Sequence, residues 1–235
     1  MTAAAPDPVL AEQLAYYQAR AAEYDQWWLR QGRYNRGAEE SKRWFQEAAQ
    51  IEHALEQFAP RGAVLELAGG TGIWTEKLAR TATSLTVVDG SSEMLAINAA
   101  RVAGPHIERL QADLFEWQPD RRFDAVFFSF WLSHVPAELF ESFWRLVACC
   151  LNPGGRYFFV DSRRTPTSTA VDHVLPANDD TVMTRRLDDG REFHIYKLFY
   201  DAQELTKRLR GLGWQSNIQE TERFFIHGQG QLSSP

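Results

Sequence analysis

Apolar side chains recur every third or fourth position through the first sixty residues. Over 9–29, Leu10, Leu14, Tyr17, Ala21, Tyr24 and Trp28 form one stripe, the period of an amphipathic helix. Residues 31–37 interrupt it. Trp44, Ala48, Ile51, Leu55 and Phe58 form a second stripe, closed by Pro60-Arg61-Gly62. From residue 63 the period changes. Short apolar runs at 63–67, 84–89, 107–112, 123–130 and 156–161 read as strands. Helical patterns fall between them at 73–82, 91–102 (Ser91 a plausible cap) and 136–151. Strands alternating with helices imply βαβ units around a parallel sheet. The nearly continuous apolar run over 123–130 implies a strand buried on both faces.

The last third has a different rhythm. Residues 182–187 and 191–200 flank Asp188-Asp189-Gly190, a hairpin signal. A helix is predicted over 201–212, then strands over 214–220 and 223–227, the last antiparallel at or near the sheet edge. The hairpin can be read further by parity. A three-residue turn with Gly190 left-handed pairs Leu187 with Arg191 and Arg185 with Phe193. Residues of equal parity share a face, so Met183, Arg185, Leu187, Phe193, Ile195, Lys197 and Phe199 fall together. An apolar face carrying two cations calls for an anionic partner, because unpaired buried charge is costly. A two-residue turn would put Arg186 there instead of Arg185, and snorkelling to water is the alternative for both.

Composition narrows the partners. The 235 residues hold 25 Lys and Arg against 31 Asp and Glu, a net charge of −6. That argues against a nucleic-acid partner, whose affinity comes mainly from phosphates. A small anion stays open, since a pocket needs only a few local cations. Cys149 and Cys150 are neighbours and, in a helix, point about 100° apart, so neither a bridge nor a metal cluster is expected. No apolar run reaches membrane-spanning length, and residues 1–8 lack a signal-peptide pattern. A cytoplasmic protein with no membrane partner is expected.

The strongest local signal is Glu66-Leu-Ala-Gly-Gly-Thr-Gly72, between a strand and a helix. Glycines there allow a sharp turn and let a ligand lie on main-chain N–H groups. Asp89 ends the next strand, where a carboxylate can accept from a ribose diol. Asp113 ends the third. The dinucleotide pattern G-x-G-x-x-G fails at Thr75, and the phosphate-loop pattern lacks its Lys. His134 follows the fourth strand at its carboxyl end, where open α/β sheets bind ligands; capping the next helix is its other reading.

The pattern E-x-[GA]-x-G-x-G followed by Asp89 and Asp113 resembles the class I S-adenosylmethionine-dependent methyltransferases. More narrowly, YYQARAAEYD, VLELAGGTGIWT, VVDGSSEM, ADLFEWQPDRRFDAVFFSFWLSHVP and LDDGREFHIYKLF resemble the phosphonate O-methyltransferases of antibiotic biosynthesis. The resemblance implies a Rossmann-like α/β fold, a seven-stranded mostly parallel sheet with helices on both faces. It also implies an N-terminal helical lid (1–60) on a core (61–235) carrying an inserted β-hairpin near 180–200. The implied cofactor is S-adenosylmethionine. Ala68 and Gly70 would lie beneath its methionine part, with Glu66 orienting the loop and Thr71 and Ser129 also binding the cofactor. Asp89 would hold the ribose; Gly90, Ser91 and Met94 would border the adenine, with Asp113 and Leu114 at its amino edge. Tyr16, Arg20 and Tyr24 match the segment that closes over the cofactor, with Arg20 near its carboxylate. His134, Arg185 and Lys197 match residues that line the acceptor site, His134 as catalytic residue. The implied reaction is an in-line displacement, in which an acceptor oxygen attacks the methyl carbon on sulfur. Ala68, where many members have Gly, is a mild departure. Residues 26–44 are longer and more aromatic than expected, so Trp28 and Tyr34, with Trp27, are candidates for enclosing the acceptor.

The resulting expectation is O-methylation of a small acidic acceptor, a phosphonate or carboxylate, in specialised metabolism. C- or N-methylation of an aromatic or quinone-like acceptor, or non-catalytic cofactor binding, are the alternatives. Oligomeric state is not encoded in any pattern found.

Overall fold

A computed structural model describes residues 7–177 and 180–233. Residues 1–6, which carry most of the segment read above for a signal peptide, lie outside the described residues. Helix α1 (Pro8–Arg20) begins where the Asp7 carboxylate accepts from Val9 N at 2.8 Å, with Pro8 in the first turn. A 3-10 turn (Ala21–Glu23) separates it from α2 (Tyr24–Trp28), so the helix expected over 9–29 is two. Helix α3 (Ala38–Phe58) ends on Ala59 in the left-handed conformation.

Then come β1 (Gly62–Leu67), α4 (Thr75–Leu78), β2 (Ala82–Asp89), α5 (Ser92–Arg101), β3 (Ile107–Gln111), β4 (Phe123–Ser129), α6 (Phe140–Cys150) and β5 (Leu151–Ser162). Helix α4 takes only four of the ten residues expected for it. Strand β2 begins at Ala82, inside that expected span, because Ala82 already pairs with Gly62 of β1. Strand β5 likewise absorbs the Asn-Pro-Gly-Gly segment after α6, since Leu151 pairs with Phe123. The hairpin strands β6 (Val182–Arg186) and β7 (Glu192–Tyr196), then α7 (Ala202–Gly211), β8 (Trp214–Glu220) and β9 (Phe225–Leu232), complete the described elements.

Seven strands form one sheet in the order β3-β2-β1-β4-β5-β9-β8, and β6-β7 form a separate pair. Strands β1 to β5 pair in parallel; β9 runs antiparallel between β5 and β8. The expected Rossmann-like, mostly parallel sheet is therefore present, with the last strand one place in from the edge. Successive residues of a strand face opposite ways, and the core divides accordingly. Val64, Phe127 and Phe158 pack beneath α3 with Trp44, Ile51 and Phe58. Leu65, Phe128 and Phe159 pack beneath α6 and α7 with Trp144, Val147 and Leu209.

The hairpin adopts the three-residue turn. Leu187 N donates to Arg191 O at 2.9 Å, Arg185 pairs with Phe193, and Gly190 has φ +89°. Met183, Leu187, Ile195 and Lys197 are buried on one face, as parity requires. Helix α1 covers the edge of β7: Gln13 Oε1 accepts from Tyr196 N at 3.1 Å, and Glu12 Oε1 accepts from His194 N at 2.7 Å.

Candidate functional site

The sheet order places the switch between β1 and β4, where the chain changes direction across the sheet. A cavity of about 380 Å³ opens at the carboxyl ends of these strands, beside β2. Ala68, Gly70, Asp89, Gly90, Met94, Asp113, Leu114 and Ser129 all line it. Gly70 has φ +53°, and a Cβ there would meet nothing within 4 Å, so the loop leaves open space above its backbone. Ala68 also lies left-handed, at φ 54°. The departure from Gly is therefore not mild: an L-residue there costs about 1–2 kcal/mol. Phe130, just after β4, is left-handed as well (φ 51°). Such strain in a bulky residue gathers at ligand sites.

Asp89 is held rather than free. Oδ2 accepts from Gly70 N and Oδ1 from Ser91 N, both at 2.8 Å. Burial pushes its carboxyl above the ordinary range, against those two N–H groups. A carboxylate offers about four lone pairs, so two remain. Ser91 is buried and caps α5 through Met94 N at 3.1 Å. Glu66 lies behind the loop, where Thr75 Oγ1 donates to its Oε2 at 2.5 Å. Thr71 does not line the cavity; its hydroxyl donates to Asp25 Oδ1 at 2.6 Å. Asp25 also pairs with Arg101, so α2, the glycine loop and α5 are tied together.

A second, smaller recess of about 30 Å³ adjoins the cavity. Tyr17, Tyr24, Phe130 and His134 line both, and so stand at the junction. Arg20, Trp27, Arg185 and Lys197 line the recess only. His134 is buried. Its Nδ1 lies 2.6 Å from Tyr196 O, which can only accept, so Nδ1 carries the proton. Nε2 then accepts from Tyr17 Oη at 2.8 Å. Burial, with Lys197 nearby, holds the imidazole well below its usual pKa, and it is neutral near pH 7.

Lys197 Nζ donates to Ser133 Oγ at 2.7 Å and lies 3.6 Å from Asp161 Oδ1. Burial lowers its pKa to about 8, despite the Asp161 charge. Arg185 hydrogen-bonds Thr169 Oγ1, and its Nη1 lies 2.9 Å from His173 Nδ1. Its Nε is buried with no partner among the described residues.

The remaining candidates sit elsewhere. Tyr16 is fully buried against the hairpin, with Phe193 at 5.7 Å, and lines neither space. Trp28 packs into an aromatic cluster with Trp44, Trp74 and Phe225. Tyr34 is one layer out, where its hydroxyl accepts from Arg20 Nη2 at 3.2 Å. Trp27, named beside Trp28 and Tyr34 as a candidate for enclosing the acceptor, lines the recess, whereas Tyr17, Asp161 and His173 were not singled out from sequence for the places they take. Only Asp161 carried a signal, a carboxylate near the end of a parallel strand.

A family model described as "Methyltransferase domain" matches residues 64–155. The ubiquinone biosynthesis O-methyltransferase of Xanthomonas axonopodis pv. citri (strain 306) is 32% identical over 173 residues. That match covers 70% of this chain and 68% of the relative. Two solved structures of DhpI are similar along nearly the whole length. The complex with SAH is 37% identical, with a TM-score of 0.77, over 97% of this chain and 98% of that one. The complex with SAM and HEP is 38% identical, with a TM-score of 0.78, over 97% and 100%.

Proposed function

The chain belongs to the class I S-adenosylmethionine-dependent methyltransferases, and from that premise we propose that it methylates an oxygen of a small anionic acceptor seated in the basic recess. The observation that carries this reading is the pair Arg185 and Lys197, two cations lining a recess beside the cavity. Arg185 Nε, buried without a partner among the described residues, is a donor that an acid oxygen would satisfy.

The cofactor is S-adenosylmethionine, and the residues of the larger cavity fit it. Asp89 keeps two acceptor lone pairs for a ribose diol, Gly70 leaves backbone space, and Met94 and Leu114 offer apolar walls to a flat base. When bound, the cofactor supplies an electrophilic methyl carbon on a sulfonium. The chain's own part is to bind and orient. Arg185 presents a planar fork and Lys197 a point charge to the acceptor's oxygens. An acid oxygen is already ionised near neutral pH, so positioning rather than a strong base supplies most of the acceleration. His134, neutral and fixed by the Tyr196 carbonyl, keeps Tyr17 Oη at the junction through Nε2. Antibiotic biosynthesis is the setting that the phosphonate resemblance supports.

A quinone-like acceptor is the second reading, supported by the name of the Xanthomonas relative and by the aromatic walls Trp27 and Phe130. A methyl-transfer screen over phosphonates, carboxylates and phenols separates the two. We expect turnover of an acidic acceptor, with Arg185→Ala raising its KM tenfold or more and S-adenosylhomocysteine affinity unchanged. Turnover of phenols alone, indifferent to Arg185→Ala, would refute the anionic reading.

A further inference from the structure

Arg185 reaches the recess from the hairpin, but the groups that fix its guanidinium come from another part of the chain. Its Nη1 hydrogen-bonds Thr169 Oγ1 and lies 2.9 Å from His173 Nδ1. Both partners belong to the segment between β5 and β6, and both are buried, at 3% and 8% exposure. Nη1 carries two hydrogens, and these two acceptors take them. Nε and Nη2, the opposite edge of the planar fork, have no hydrogen-bond partner among the described residues. His173 itself lines neither the cavity nor the recess.

The place of the His173 proton follows from what faces each ring nitrogen. A guanidinium can only donate, so Nδ1 accepts. Nε2 meets both Arg186 N at 3.0 Å and Arg186 O at 3.2 Å, so it has a partner with or without a proton. In the neutral ring the proton therefore sits on Nε2, and Arg186 O accepts it. Burial, and then the Arg185 charge, hold the pKa at about 3, so the ring remains an acceptor near neutral pH. The segment that carries these groups is itself pinned. Trp27 Nε1 donates to Ser168 O at 2.7 Å, Arg36 Nη2 to Ala170 O at 2.9 Å, and Val171 N to Arg33 O at 3.0 Å. His173 N donates back to Ala170 O at 3.1 Å. An imidazole fixed on both sides is a firm stop for a long, flexible arm. An arginine ordered before its ligand arrives loses less freedom on binding.

We propose that His173 is a positioning residue for the acceptor site: through Nδ1 it holds Nη1 of Arg185, with Thr169 as the second hold, and so keeps the Nε–Nη2 edge free for the acceptor's oxygens. This rests on the anionic-acceptor reading and deepens it, because two N–H groups side by side match two oxygens of one acid group. Preference for such acceptors then depends on a segment that belongs neither to the hairpin nor to the N-terminal helices.

The test is calorimetry on the whole protein with two probes, S-adenosylhomocysteine and then methylphosphonate added to the saturated complex. For His173→Leu, which removes the acceptor, we expect methylphosphonate affinity at least fivefold weaker and S-adenosylhomocysteine affinity within twofold of wild type. His173→Asn, whose amide oxygen can stand where Nδ1 does, should recover part of the methylphosphonate loss. A loss smaller than fivefold in His173→Leu overturns the inference alone. So does an equal loss for both probes, or His173→Asn no better than His173→Leu, since each would make the histidine a general support of the fold. Wild-type protein that binds no methylphosphonate, or binding that Arg185→Ala leaves intact, overturns the anionic-acceptor reading and this inference with it. Should His173→Leu fail to fold, Thr169→Val decides, because it removes the other hold on Nη1. Selective weakening of methylphosphonate then supports the clamp, and unchanged affinity overturns it.

Discussion

Glu66, one residue before the end of β1, has a carboxyl that is almost wholly out of water. Burial raises its pKa to about 8, against the hydrogen bond from Thr75 and with Asp89 adding to the rise. Asn98 Nδ2 donates to Thr75 Oγ1 at 2.7 Å, and Arg109 Nε donates to Asn98 Oδ1 at 2.8 Å, so the carboxyl anchors a chain of contacts behind the glycine loop. Between the ordinary value of 4.5 and about 8, the folded state holds a proton that the unfolded state has released. Stability should then fall as pH rises through that window, by up to about 1.4 kcal/mol per unit, and level off above it. Glu66→Gln keeps the shape and removes the titration. Urea midpoints measured from pH 5 to 9 should slope less in the variant than in the wild type; equal slopes would exclude a protonated Glu66. At this scale the sequence was partly legible. A helical stripe announces Tyr17 and Trp28 as inward, but neighbours on a helix point about 100° apart. The 3-10 turn at 21–23 then shifts the phase. That shift is why Trp27, not Trp28, reaches the site, while Tyr17, ahead of the turn, keeps the place the stripe gives it. His173 was illegible because nothing near it in sequence announces Arg185 as its neighbour.

Elements were more readable where one constraint fixed them. The hairpin register followed from turn length and a period of two, and it put Arg185 on the face of Lys197 without any long-range information. The last strand was expected to end at His227, just before Gly228 and Gly230, but β9 runs on to Leu232. In the sheet those glycines make room. A Cβ on Gly228 would lie 2.6 Å from Phe159 Cε1 and 3.0 Å from Ile218 Cγ1. Phe159 is fully buried and stacks on Phe128 at 5.6 Å, so it cannot swing away. Gly228→Ala should cost about 1–3 kcal/mol by overpacking, read as a lower denaturant midpoint at unchanged m-value. No change in midpoint would show that β5 and β9 can part at little cost. Helix α4 was over-read because its pattern runs into β2, and sheet pairing took the residues that propensity offered to a helix.

Across the molecule, the parallel sheet with its switch between β1 and β4 explains why one crevice collects residues from four strands and the N-terminal helices. The alternation of strand and helix patterns made that architecture legible early. The ties that hold the N-terminal helices over the crevice were not, because each joins side chains far apart in sequence. Asp25 of α2 is one such tie: it engages Thr71 of the glycine loop and Arg101 of α5 at once. We expect Asp25→Ala to weaken S-adenosylhomocysteine binding by threefold to tenfold in calorimetry. The stability cost should stay near about 1 kcal/mol, because the pair is partly solvated. Undiminished affinity would mean that α2 holds its place over the loop without this tie. Arg33 makes a comparable clasp with Asp172 and Asp188, from the N-terminal region to the hairpin tip.

The seam between α1 and β7 carries a consequence for how the protein is made. Its hydrogen bonds join Glu12 to His194 and Gln13 to Tyr196, residues 182 and 183 positions apart. Closing so long a loop costs entropy that local contacts cannot offset in advance. The recess, walled by Arg20 from one side of the seam and by Lys197 from the other, cannot exist on a growing polypeptide until the ribosome has released residue 197. The crevice for the methyl donor needs residues only as far as His134. Synthesis from the N-terminus therefore completes the donor's pocket while the acceptor's is still missing a wall.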